Sequence, residues 1–351
     1  MKGGFLGLKD DEGFWRRPLA RQDRVLDRLL DRRPGLLLDA PCEVELPLRQ
    51  SLPAVVGLVA TYEQLHGLDP GRAGALAAVN VETSEVWAGT LEDLDGVEPP
   101  DDPGPPPATK GTGALVLLAC ARARTGLAWT PGASYLLSAH LRERASNRVP
   151  VRLVPGPQVY VDPAARALVL ARRRAHALRH SPVGPLAEGG LDLGDPAAKA
   201  LVPERPGLAA RAERVVVMDP GAPAVLRVGL RAALRPWERA RPARPGDPDL
   251  DARVSGVVPV TLLVTGALDA APRVLALRVP VEDPLPHDLD ADALDPDADG
   301  PEVALAFALD LLRLDGFPRA PGTYYVSVFS GEHMAGPAPV ALVSPLSLRA
   351  P

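Results

Sequence analysis

The chain has 351 residues, a formal net charge of −5, 46% hydrophobic residues and 24% charged ones, which fits two or three folded domains with proper cores. It has no basic excess for the phosphate contacts that dominate nucleic-acid affinity, so no nucleic-acid partner is expected. Residues Met1 to Gly13 carry Lys9, Asp10, Asp11 and Glu12 where a signal peptide needs an apolar core, and no apolar run reaches the roughly 20 residues that span a bilayer. The expectation is a cytoplasmic protein without membrane insertion, or one exported without a classical signal.

Residues 1–35 read as an N-terminal arm and helix. Phe5, Leu6, Phe14 and Trp15 lie among glycines, and Pro18 to Arg32 then repeats Leu19, Val25, Leu26, Leu29 and Leu30 at helical spacing. Pro18 suits a first turn, and Pro34 with Gly35 stops the helix. Residues 36–154 read as strands, in short apolar runs: Cys42 to Leu48, Ala75 to Val81, Glu85 to Leu91, Ala114 to Ala123 and Ser134 to Leu141. Leu52 to Leu65 fits either strand or helix.

Residues 155–213 read as a hairpin and linker. Val159 to Val161 and Ala167 to Leu170 flank an Asp162-Pro163 turn, and Ser181 to Gly207 is rich in Gly and Pro without clear periodicity. A helix over Pro163 to Arg179 is the rival reading. Residues 214–351 return to strands over Val225 to Leu234, Val257 to Thr265, Arg273 to Val281, Val303 to Leu314, Tyr324 to Phe329 and Val340 to Val343. Gly and Pro are about 21% of the chain, spaced as frequent turns between strands, which favours antiparallel sandwiches over a parallel sheet.

The two halves repeat one another. At an offset of 190, Gly126, Pro131, Gly132 and Tyr135 fall on Gly316, Pro321, Gly322 and Tyr325. At an offset of 182, Ala40, Pro41, Leu48, Arg49 and Leu52 fall on Ala222, Pro223, Leu230, Arg231 and Leu234. Two diverged copies of one domain are expected.

The run Pro321-Gly322-Thr323-Tyr324-Tyr325-Val326-Ser327-Val328-Phe329 resembles the penultimate strand of bacterial immunoglobulin-like and fibronectin-type-III-like domains, in which a Tyr near the strand start bonds back to the turn. Either Tyr135 and Tyr325 are the shared corner residue, or the first copy lacks it. The resemblance implies an all-β chain of two tandem immunoglobulin-like antiparallel sandwiches, and this architecture transfers no active site. Cys42 and Cys120 stand where such a sandwich could carry an inter-sheet bridge. Two thiols are the favoured reading, since a cytosolic compartment keeps them reduced and the second copy has Ala224 and Asp310 at the matching places.

Two constellations offer metal chemistry. Asp295, Asp297 and Asp299 alternate before Gly300, as a calcium loop does, because a hard cation needs several oxygens on one concave turn. An EF-hand count then puts Ala306 where a bidentate Glu belongs, which favours a solvated acidic loop. His176 and His180 stand four apart and would share a helix face able to chelate a transition metal, but they lie among Arg172, Arg173 and Arg174 with no catalytic carboxylate nearby. The other histidines, His66, His140, His287 and His333, stand alone and read as structural. No nucleophile elbow, phosphate-binding glycine loop or Cys-His cluster is present in the sequence. The expected role is therefore a non-catalytic structural or protein-interaction component of a larger assembly, with protein partners or a homo-oligomer and no cofactor. The alternative is a metal-binding accessory subunit of an enzyme, taking calcium or a transition metal.

Overall fold

The computed structural model describes residues 34–46, 53–66, 68, 73–81, 84–91, 111–120, 133–155, 164, 190–219, 221–233, 256–266, 271–281 and 302–344. The helix expected over Pro18 to Arg32, the hairpin around Asp162-Pro163, the histidine pair and the acidic run lie outside these residues. The protein is all-β: the described residues form eighteen strands, two one-turn helices and one 3₁₀ turn. The chain divides into two compact units, Met1–Leu168 with Thr265–Pro272, and Val169–Val264 with Arg273–Pro351.

The first unit holds β1 (Gly35–Asp39), β2 (Glu43–Leu46), β3 (Pro53–Thr61), β4 (Gly74–Asn80), β5 (Val86–Thr90), β6 (Thr112–Cys120), β7 (Ser134–Leu141), β8 (Arg144–Ala145) and β9 (Val149–Pro155). One sheet runs β1-β3-β6, and the other runs β2-β9-β7-β4-β5 with β8 beside β7. Strand alternation sends every second side chain inward. Leu36, Leu38, Val56 and Leu58 from one sheet and Leu76, Tyr135, Leu137, Val151 and Leu153 from the other thereby meet in one buried cluster. The ambiguous Leu52 to Leu65 resolves into both readings: β3, then the helix α1 (Tyr62–Leu65), which starts at a capping box formed by Thr61 and Gln64.

The second unit holds β10 (Leu191–Asp192), α2 (Pro196–Lys199), β11 (Gly207–Ala212), β12 (Val215–Val217), β13 (Val225–Ala233), β14 (Gly256–Gly266), β15 (Arg273–Val281), β16 (Glu302–Asp310), β17 (Gly322–Ser330) and β18 (His333–Val343). Its sheets run β10-β16-β13-β11 and β12-β18-β17-β14-β15. Residues 190–213, read from the sequence as part of a linker, thus carry two strands and a helix of this unit. Alternation is clearest in β16, where Val303, Leu305, Phe307 and Leu309 enter the core and Ala304, Ala306 and Ala308 face outward. Leu226, Leu230, Leu262 and Phe307 are completely buried, each worth roughly 1.5–3 kcal/mol of apolar burial.

Apart from β8 and β10, the strand orders of the two units coincide, and so do their registers. Leu36 opposite Leu58 and Leu38 opposite Val56 recur as Leu208 opposite Leu230 and Ala210 opposite Val228, an offset of 172. Val56 opposite Leu117 recurs as Val228 opposite Phe307, which places the sixth strand at 190. Tyr135 opposite Val151 recurs as Tyr324 opposite Val340, at 189. The sequence match at 182 is therefore out of register: the counterpart of Leu230 is Leu58, not Leu48. The match of Tyr135 to Tyr325 is also one residue off, because the offset falls by one between the sixth and seventh strands.

In both units the chain starts in one sheet and switches to the other. There β2 and β12 pair in parallel with the last strands, β9 and β18. At the switch, the Cys42 carbonyl accepts from Arg152 N–H, and the Arg214 carbonyl accepts from Ala341 N–H, both at 2.8 Å. Cys42 thus corresponds to Arg214, whereas Cys120 and Asp310 do correspond through their partners Pro53 and Val225.

Candidate functional site

A polar cluster lies on the outer face of the four-stranded sheet of the second unit. Leu226, Val228 and Leu230 of β13 point into the core, so Arg227, Gly229 and Arg231 project outward in a row. The chain between β10 and β11 must travel from one edge of this sheet to the other, and it does so as a strap laid across that row. Asp195 starts it. Its Oδ1 accepts from Ala197 N–H (2.7 Å) and Ala198 N–H (3.1 Å) and so caps α2, while Oδ2 takes the Arg227 Nε–H at 3.0 Å. Desolvation pulls this carboxyl upward, but the N–H groups of Ala198 and Ala197 and the Arg227 guanidinium outweigh it and hold Asp195 below its ordinary value.

Midway, the strap backbone presses on Gly229. A Cβ there would lie 2.5 Å from Leu201 C and from Val202 N, so only glycine admits the crossing. At the far end Arg231 donates from Nε to the Pro203 carbonyl (2.7 Å) and from Nη1 to Glu302 (2.9 Å). Glu213 approaches Arg227 at 3.7 Å. The outward alanines of β16 make the floor flat enough for α2 to sit against β16 and β13. In this arrangement the guanidinium groups and carboxylates bond to one another and to the strap, so the cluster is organised to hold a segment of chain.

A second polar site lies on β7. Ser138 and His140, two apart on a strand, share one face; Ser138 Oγ is 2.9 Å from His140 Nε2, and both residues are almost fully buried. Opposite them on β4 stand Ala77 and Ala75, which are buried as well. Burial pushes the His140 imidazole down to about 4, because the charged form is poorly solvated there. A nucleophile and base need access to substrate as well as mutual geometry, and this pair is enclosed. The sequence signal for it is Ser-x-His inside an alternating strand, which fixes a shared face; a reading of His140 as a lone histidine passes over it.

The metal candidates Asp295, Asp297, Asp299, His176 and His180 fall outside the described residues. Among the described residues, no group of three or more His, Cys, Asp and Glu side chains is arranged to hold a metal ion, and no helix is long and apolar enough to cross a membrane. Cys42 is a half-buried thiol. The Tyr324 hydroxyl, not that of Tyr325, donates to the Ala320 carbonyl at 3.0 Å; the Tyr324 ring packs on Phe317, as that of its counterpart Tyr135 packs on Trp87. No protein-family model matches the chain, and no curated protein is significantly similar to it in sequence.

Proposed function

We propose that this chain is a non-catalytic structural or recognition protein, built of two tandem immunoglobulin-like sandwiches and acting as a component of a larger protein assembly in the cytoplasm. The observation that carries this reading is the shared strand order and register of the two units, which is what duplication of one sandwich domain leaves behind. The switch of the first strand between sheets and the Tyr324 corner support the immunoglobulin-like reading. The polar side chains of Asn147, Asp195, Arg231 and Asp310 hold backbone segments in place. Among the described strands, β5 and β15 lie at sheet edges, and with the exposed Val215 they offer surfaces for protein contacts.

Native mass spectrometry of the untagged full chain, before and after chelator, tests the proposal. A concentration-dependent oligomer, or a stoichiometric complex with another protein, unchanged by chelation, is the expected result. A monomer carrying one calcium or transition-metal ion that the chelator removes would overturn it in favour of a metal-binding accessory subunit, with Asp295, Asp297 and Asp299 or His176 and His180 as ligands.

A further inference from the structure

We propose that the strap from Leu193 to Pro206 is a flap, held shut over the outer face of the four-stranded sheet by the Asp195 and Arg227 pair, and that it opens as a unit while the sandwich beneath stays folded. This inference is independent of the assembly role.

Both ends of the strap are fixed. Leu191 and Asp192 pair with β16 at one edge, and Gly207 to Ala212 pair with β13 toward the other. Between these anchors the strap commits modest apolar surface: Ala198 is fully buried and Leu201, Val202 and Pro203 are half-buried, but Leu193 is 40% exposed and Pro196, Ala197, Lys199, Ala200, Glu204 and Arg205 face solvent. What holds the strap is polar and steric: the two oxygens of Asp195, the close fit over Gly229, and the bond from Arg231 to the Pro203 carbonyl. Segments with few buried apolar contacts open at far lower free energy than the core strands that flank them.

Asp195 concentrates the control. One oxygen starts α2 and the other ties it to the sheet, so loss of this one carboxylate slackens the helix and the tether together. Opening uncovers a floor of Gly229, Ala306 and Ala308, with Arg227 and Arg231 freed of their strap partners beside it while Arg231 keeps its bond to Glu302.

Hydrogen exchange of the full chain, read by mass spectrometry on wild type, Asp195→Asn and Gly229→Ala, decides the matter. Asp195→Asn removes the charge and keeps an acceptor for the α2 cap; Gly229→Ala wedges the middle of the strap and leaves the charges alone. Both variants are expected to speed exchange of peptides within 193–206 by roughly tenfold, with peptides from β13, β14 and β17 unchanged. Equal acceleration of strap and sheet peptides would show that the strap is part of one cooperative unit, and unchanged strap exchange in both variants would show that neither contact holds it; either result overturns the proposal.

Discussion

The side-chain amide of Asn147 bonds Leu38 twice: Oδ1 accepts the Leu38 N–H at 3.0 Å, and Nδ2 donates to the Leu38 carbonyl at 2.9 Å. Leu38 lies in β1, the outermost of the described strands of its sheet. The amide therefore does for this edge what a neighbouring strand would do, and Leu38 can stay buried with its backbone satisfied. Ser146 prepares the position, accepting from Ala139 N–H and donating to the Asn147 carbonyl. Replacement of Asn147 by Ala or Leu is expected to cost about 1–3 kcal/mol, because two backbone groups lose their partners. Urea unfolding measures the loss; a change under about 0.5 kcal/mol, the net worth of one weak hydrogen bond, would mean water replaces the amide.

Tyr324→Phe deletes the bond to the Ala320 carbonyl and leaves the packing on Phe317 intact. The expected loss is about 1 kcal/mol, visible as a lower denaturant midpoint with an unchanged slope.

Gly336 has φ of +93°, and a Cβ there would lie 2.6 Å from the Val326 carbonyl oxygen, beside the register shift between Val326 and Val328. Gly336→Ala combines a left-handed backbone with a clash that strand β17 cannot relieve. A cost of roughly 2 kcal/mol is expected, read from thermal or urea unfolding.

The buried imidazole of His140 gives stability an acid limb. Free histidine protonates near 6.5, and His140 in the fold only near 4. Between those values the unfolded chain binds more protons than the folded one, so stability falls as the solution is acidified. The contribution is fully present above about pH 7 and is lost progressively down to about pH 4, at most roughly 3 kcal/mol. Stability curves against pH for wild type and His140→Gln test this: the slope across that window is expected to flatten in the variant, and parallel curves would contradict it.

Much of the strand pattern was legible because one buried face imposes alternation. Ser134–Leu141 and Arg273–Val281 match their expected limits, and β13 and β17 match nearly as well, whereas the expected Val303 to Leu314 leaves the strand at Asp310 for a 3₁₀ turn over Leu311–Arg313. The Thr61-Tyr-Glu-Gln64 capping box was also in the sequence, and would have split Leu52 to Leu65 into strand and helix. The strap and β11 were not legible. Gly207 to Ala212 is Gly-Leu-Ala-Ala-Arg-Ala, too poor in large apolar residues to read as a strand, and becomes one by pairing with β13. Short turn-to-strand signatures repeat by chance in a chain so rich in Ala, Leu, Pro and Arg, which is how matches at 182 arose beside a true offset of 172. The Asp195 cluster joins residues far apart in sequence, and only the tertiary fold assembles it.

The parallel pairing of each unit's early strand with its last one has a mechanical meaning. Glu43, Val44, Glu45 and Leu46 lie beside Arg152, Leu153, Val154 and Pro155, all running the same way. Tension pulling the start of β2 backward and the end of β9 forward slides the two strands past each other, so their bonds are strained simultaneously; an antiparallel hairpin pulled at its open end would unzip one bond at a time. In each unit, stretching across this seam therefore loads its inter-strand bonds in shear, together rather than in turn.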